Sequence, residues 1–143
     1  MPIDAISRYS PYALTALRIM TGLLFIPHGT QKLFAWPASE YFPEPLPLFS
    51  LMGVAGVLES IGGLLIVLGL LTRPVAFELS GFMAAAYFMG HAPQGFFPAV
   101  NGGDAAILFC FVYFYLFFAG PGALSLDGML RPSAVNRPAA GSA

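Results

Sequence analysis

The chain has 143 residues, of which 57% are hydrophobic and 9% charged, with a formal net charge of −1. Soluble domains carry about a quarter charged residues, so this composition belongs to the membrane class, and the length allows one domain. No basic stripe exists to neutralise phosphates, which excludes nucleic acid as a partner; the single Cys110 excludes an intramolecular disulfide and a cysteine-paired metal site, and no metal ligand set is expected.

Residues 1–11 hold one arginine, Arg8, ahead of a long apolar segment without a small-residue cleavage site. That segment is expected to be retained as a first span and not removed as a signal peptide. Apolar segments follow at Tyr12–Phe34, Leu51–Leu71, Pro74–His91 and Asp104–Ala119. A helix needs ~20 residues to cross the hydrocarbon core, so the first two qualify and the last two lie near the lower limit. Polar backbone cannot stay unpaired in lipid and no alternating barrel pattern is present. The fold class expected is therefore all-α, a four-transmembrane-helix bundle over residues 12–122.

The breaks are proline- and glycine-rich. Trp36–Ser50 holds four prolines and cannot be helical throughout. Leu71–Pro74 reads as a tight turn, with Pro74 suited to a helix first turn. Ala92–Asp104 reads as a loop whose Asp104 is placed to cap the fourth helix. Gly120–Gly122 ends that helix, and residues 123–143 read as a tail, disordered from Ser133. Arg8, Arg73, Arg131 and Arg137 fall on one side, whereas the other connections lack Lys and Arg and the first carries Glu40 and Glu44. The positive-inside rule then places both termini in the cytoplasm.

Inside these segments stand Arg18, His28, Lys32, Glu59 and Glu78. A charge in hydrocarbon costs roughly 3 kcal/mol on insertion scales, so such groups face an interior and pair there. At 1.5 Å per residue Arg18 and Glu78 lie about 9 and 6 Å from the cytoplasmic ends of their spans, which predicts a structural ion pair between them. His28 and Glu59 lie about 9 and 12 Å from the outer ends, with Lys32, His91 and Asp104 close to the same surface. Arg18, Thr21, Phe25, His28 and Lys32 recur at steps of three and four and share one stripe. The span-two residues Gly53, Gly56, Ser60 and Gly63 form a small-residue face that permits close approach, within the chain or to a second copy. His28, Lys32 and Glu59 read either as proton-exchanging contacts to a bound ligand or as a network joining spans one and two. His91 and Asp104 read as a helix-end residue and an N-cap.

The stretches ALRIMTGLLFIPHGTQKLF, GVLESIGGLLIVLGLLTR and NGGDAAILFCFVYFYLFFAGPGALSLD, within Ala13–Asp127, resemble the DoxX family of small bacterial membrane proteins. By that resemblance Arg18, His28, Gly29, Lys32, Glu59, Gly62, Gly63, Arg73, His91, Asn101 and Asp127 fall on characteristic positions. Asn101 thereby joins His28, Lys32, Glu59, His91 and Asp104 as a ligand or proton-exchange candidate. Asp104 is a departure, because the family often has Glu there. The resemblance implies a multi-pass protein of the bacterial cytoplasmic membrane with a link to quinone-coupled or thiol-stress redox systems.

The expected function is an accessory membrane subunit that binds a quinone or another lipid-soluble ligand. His28 and Glu59 would exchange protons with the ligand's carbonyl oxygens and Lys32 would stabilise developing negative charge. No catalytic residue is assigned and no covalent cofactor is expected, since the chain has no cysteine cluster, haem-attachment motif or flavin fingerprint. The partners expected are lipids, redox-enzyme subunits and a second copy. Alternatives are a small transporter using the polar stripe, or a scaffold docking soluble partners through its outer loops.

Overall fold

The computed structural model describes residues 3–130, and every regular element among them is helical. The helices are α1 (Ile3–Ser7), α2 (Ser10–Phe34), α3 (Leu51–Leu68), α4 (Thr72–Ala86), α5 (Pro98–Asn101), α6 (Asp104–Ala119) and α7 (Leu126–Leu130). A wide π turn, Tyr87–His91, extends α4 to the end foreseen from the sequence. Arg131, Arg137 and the Ser133–Ala143 segment lie outside the described residues.

Local chemistry sets most ends. Pro11 sits in the first turn of α2, where its missing N–H is no loss. Ser50 caps α3, its Oγ accepting from the Gly53 N–H at 3.0 Å. Gly69, at φ 65°, closes α3 three residues earlier than expected, and the Leu70 N–H reaches back to the Leu65 carbonyl at 3.0 Å. This left-handed cap suits glycine. Asp104 is not the cap of α6: Gly103 holds that place, and Asp104 is the first helical residue, exposed, where its charge complements the helix dipole.

The long helices pack α2 on α3 and α4 on α6, with α3 meeting α4 and α2 meeting α6. The small-residue face of α3 is used inside the chain. A Cβ on Gly22 would stand 2.7 Å from the Gly63 carbonyl oxygen, and one on Gly29 would collide with Gly56 and Ser60. Backbone therefore touches backbone along α2 and α3. Phe25, Ile66, Ala76, Leu79, Met83, Ala106, Tyr113 and Leu116 fill the centre.

The distribution of polarity is inverted relative to a soluble protein. Arg18, Lys32 and Glu59 are buried, while Leu23, Leu24, Ile61, Leu64, Phe111 and Phe118 face outward. An apolar exterior of this extent needs an apolar surrounding. Among the described residues, α3 is long and apolar enough to cross a membrane, and α6 is apolar but shorter.

Candidate functional site

Two polar centres lie within this apolar shell. The first joins α2 to α3. Lys32 Nζ donates to Glu59 Oε2 at 2.6 Å and to the His28 carbonyl at 3.0 Å, and each charged side chain is only 9% exposed. The close α2–α3 approach makes this possible, because Gly56 lies directly against the Lys32 Cβ. Phe42, from the proline-rich connection, places its ring centroid 5.2 Å from Lys32 Nζ, a cation–π contact. The Leu46 N–H donates to the Lys32 carbonyl at 2.8 Å and ties that connection down.

Aromatic rings line the interior next to this pair. Phe25 lies 5.0 Å from Phe109 and 5.2 Å from Tyr113 between centroids. Tyr113 is fully buried and lies within the electrostatic reach of Glu59, yet its hydroxyl has no hydrogen-bond partner among the described residues. Ser60 Oγ is likewise buried without a partner among the described residues. The centre thus combines an ammonium donor, a carboxylate acceptor and an unsatisfied phenol. Such groups can orient or exchange a proton with a polar headgroup.

Among the described residues the His28 ring makes no hydrogen bond to this pair, although it lies within the electrostatic reach of Lys32. The His28 carbonyl takes part, but the imidazole is exposed, edge-on to Phe109 with centroids 6.0 Å apart. His91 and Asn101 form a separate unit around α5. The Asn101 carbonyl lies 3.1 Å from His91 Nδ1, while the buried Asn101 amide donates to the Gly95 carbonyl at 2.8 Å and accepts from the Gly103 N–H at 2.8 Å. Those bonds close a loop. Among the described residues no group of three or more His, Cys, Asp and Glu side chains is placed to hold a metal ion.

The second centre overturns the expected Arg18–Glu78 ion pair. Arg18 is 1% exposed, and its guanidinium is consumed by carbonyls. It donates to Pro121 at 2.8 Å, to Val67 and Leu124 at 2.6 Å each, and to Ile66. Equal depth does not pair Arg18 with Glu78, because the last-turn carbonyls of α3 already form a concentrated acceptor for a cation. Glu78 instead faces outward on α4.

Asp127 completes this centre. Its carboxylate accepts from the Leu71 and Thr72 N–H groups, each at 2.8 Å, capping α4 from a distance, and it acts electrostatically on Arg18. The Ala123 N–H donates to the Pro11 carbonyl at 3.1 Å, so residues 123–130 fold back under the helices and extend the helical body past residue 122. Arg73 donates to the Phe117 and Phe118 carbonyls at 2.7 Å each, closing α6. Sequence reasoning missed the capping roles of Asp127 and Arg73. The available signal was an acidic residue two positions after Ser125, following a helix-ending GPG.

The model of the DoxX family matches residues 13–92, the stretch that holds Arg18, Lys32, Glu59 and Arg73. The chain belongs to the DoxX family. A relative from Haemophilus influenzae, described as an uncharacterized protein, is 43% identical over 87% of this chain and 96% of its own length. The inner membrane protein YqjF of Escherichia coli is 32% identical over 80% of this chain and 88% of its own length. The uncharacterized membrane protein Rv3486 of Mycobacterium tuberculosis is 27% identical over 87% of this chain and 85% of its own length. No solved structure matches the chain. Family and relatives together make this DoxX chain a bacterial membrane protein.

Proposed function

We propose that this DoxX protein crosses the cytoplasmic membrane with α2, α3, α4 and α6, with both termini inside, and acts as an accessory subunit of a membrane redox system. Its Lys32–Glu59 centre would hold the polar head of a lipid-soluble ligand of the quinone type. The observation that carries this reading is the buried 2.6 Å Lys32–Glu59 pair in the reach of the Tyr113 hydroxyl, which has no hydrogen-bond partner among the described residues, in an otherwise apolar interior. Lys32 would donate to a ligand carbonyl oxygen, Glu59 would accept or return the proton, and Tyr113 would supply a second donor. The orientation is supported by Arg8 and Arg73, which lie at the end where α2 and α4 begin and α3 and α6 finish.

A transport pathway is disfavoured by Phe25 and Ile66, both fully buried between the two polar centres. Mass spectrometry of the organic extract of gently purified protein tests the ligand reading. A stoichiometric quinone in the wild type, depleted in Glu59→Gln and in Tyr113→Phe at equal helicity, is expected. Extracts without any bound quinone or comparable redox lipid, from folded protein, would refute it.

A further inference from the structure

A groove of about 430 Å³ runs along the outward face of α4, bordered by Leu58 of α3 and by Cys110 and Phe114 of α6, with Phe77, Glu78 and Gly81 on its floor. Two independent features of that floor are unexplained by packing within the chain. Gly22, Gly29, Gly56, Gly62 and Gly63 each abut a neighbouring helix, but a Cβ on Gly81 would meet nothing within 4 Å. A glycine inside a helix weakens it, and its usual compensation in a membrane protein is the close approach of another backbone. Glu78, three residues earlier on the same exposed face, has no hydrogen bond or ion pair among the described residues, and it sits six residues into α4, about 9 Å along the axis. An intramembrane carboxylate normally faces a partner.

We infer that the Glu78–Gly81 face of α4 receives a transmembrane helix of a different protein, one that carries a lysine or arginine in its cytoplasmic third. Gly81 admits the helix backbone and Glu78 pairs with its cation. Charge complementarity selects this occupant over a second copy. Among the described residues, the chain's own intramembrane cations are committed, Arg18 to four carbonyls and Lys32 to Glu59. A two-fold dimer through this face would set carboxylate against carboxylate. This inference rests on α4 crossing the membrane and is independent of the ligand at Lys32–Glu59.

The test uses purified full-length protein in phosphatidylcholine vesicles and two labelled transmembrane peptides, an all-leucine helix and the same helix with one lysine in its cytoplasmic third. Energy transfer should show the lysine peptide binding at least tenfold more tightly. Glu78→Gln should abolish the difference, and Gly81→Leu should weaken the lysine peptide as well. Equal binding of the two peptides to the wild type, or an unchanged preference in Glu78→Gln, overturns the inference. Self-association of labelled copies that disappears in Glu78→Gln would put a second copy in the groove and overturn it too. Quenching of a Phe77→Trp, Trp36→Phe protein by brominated acyl chains reports separately whether α4 lies in hydrocarbon. Quenching without peptide preference defeats the partner alone, and absence of quenching defeats both.

Discussion

Replacing Glu59 by leucine should be among the most damaging single changes at the centre of this protein, and replacing Lys32 as well should largely reverse it. Both side chains are 9% exposed and 2.6 Å apart, so Glu59→Leu leaves an ammonium with the His28 carbonyl and the Phe42 ring as its remaining neighbours. Removing one member of a buried pair costs about 3–5 kcal/mol, because the surviving charge stays desolvated. That is roughly two to three and a half orders of magnitude in the folding equilibrium. Lys32→Met with Glu59→Leu removes both desolvation costs and keeps comparable volume, so the double variant should lie within about 1 kcal/mol of wild type. Reversible unfolding in mixed micelles, followed by far-ultraviolet circular dichroism across the four-protein cycle, measures the coupling directly. A sum of single effects equal to the double effect would show that the pair is not a coupled unit. If the proposed quinone is extracted from the wild type, a folded double variant that lacks it would separate stability from binding.

Asp127→Ala should remove two hydrogen bonds to the start of α4 and the carboxylate acting on Arg18, costing about 1–3 kcal/mol. Hydrogen exchange should show lost protection at Leu71 and Thr72 first, and Asp127→Asn should recover part of it. Two glycine-to-alanine changes should differ in sign. Gly29→Ala drives a methyl group into Gly56 and Ser60 and should cost about 1–3 kcal/mol, whereas Gly81→Ala enters open space and should gain up to about 1 kcal/mol in the isolated protein. Equal effects by thermal unfolding would refute the packing argument. Ala35→Gly should stabilise by about 1 kcal/mol, since Ala35 closes α2 at φ 51°, where a Cβ is strained.

Much of the fold was legible because burial in lipid forces helices and proline and glycine punctuate them. The segment Tyr12–Phe34 became the helix Ser10–Phe34, and Asp104–Ala119 was matched at both ends. The glycine spacing of α3 announced a close helix contact, although only packing decided that Gly22 and Gly29 of α2 meet it inside the chain. Counting from the outer span ends groups His28, Lys32 and Glu59, with Glu59 nearest His28 in depth, and the structure joins Lys32 to the Glu59 carboxylate and to the His28 carbonyl. The same reasoning failed for Arg18 and Glu78, because depth carries no information on rotation about a helix axis.

By itself, then, the sequence determined the composition suited to a membrane, the positions of the long helices and the set of charges needing partners. Those properties follow from hydropathy, turn chemistry and the cost of unpaired charge, all of which act locally along the chain. The tertiary structure decided which partner each charge obtained. Arg18 found the carbonyls at the end of α3 and of the returning segment, Asp127 crossed from beyond α6 to cap α4, and Glu78 was turned outward. Such choices depend on helix rotation and on where distant chain ends fold back, and no short-range pattern records them.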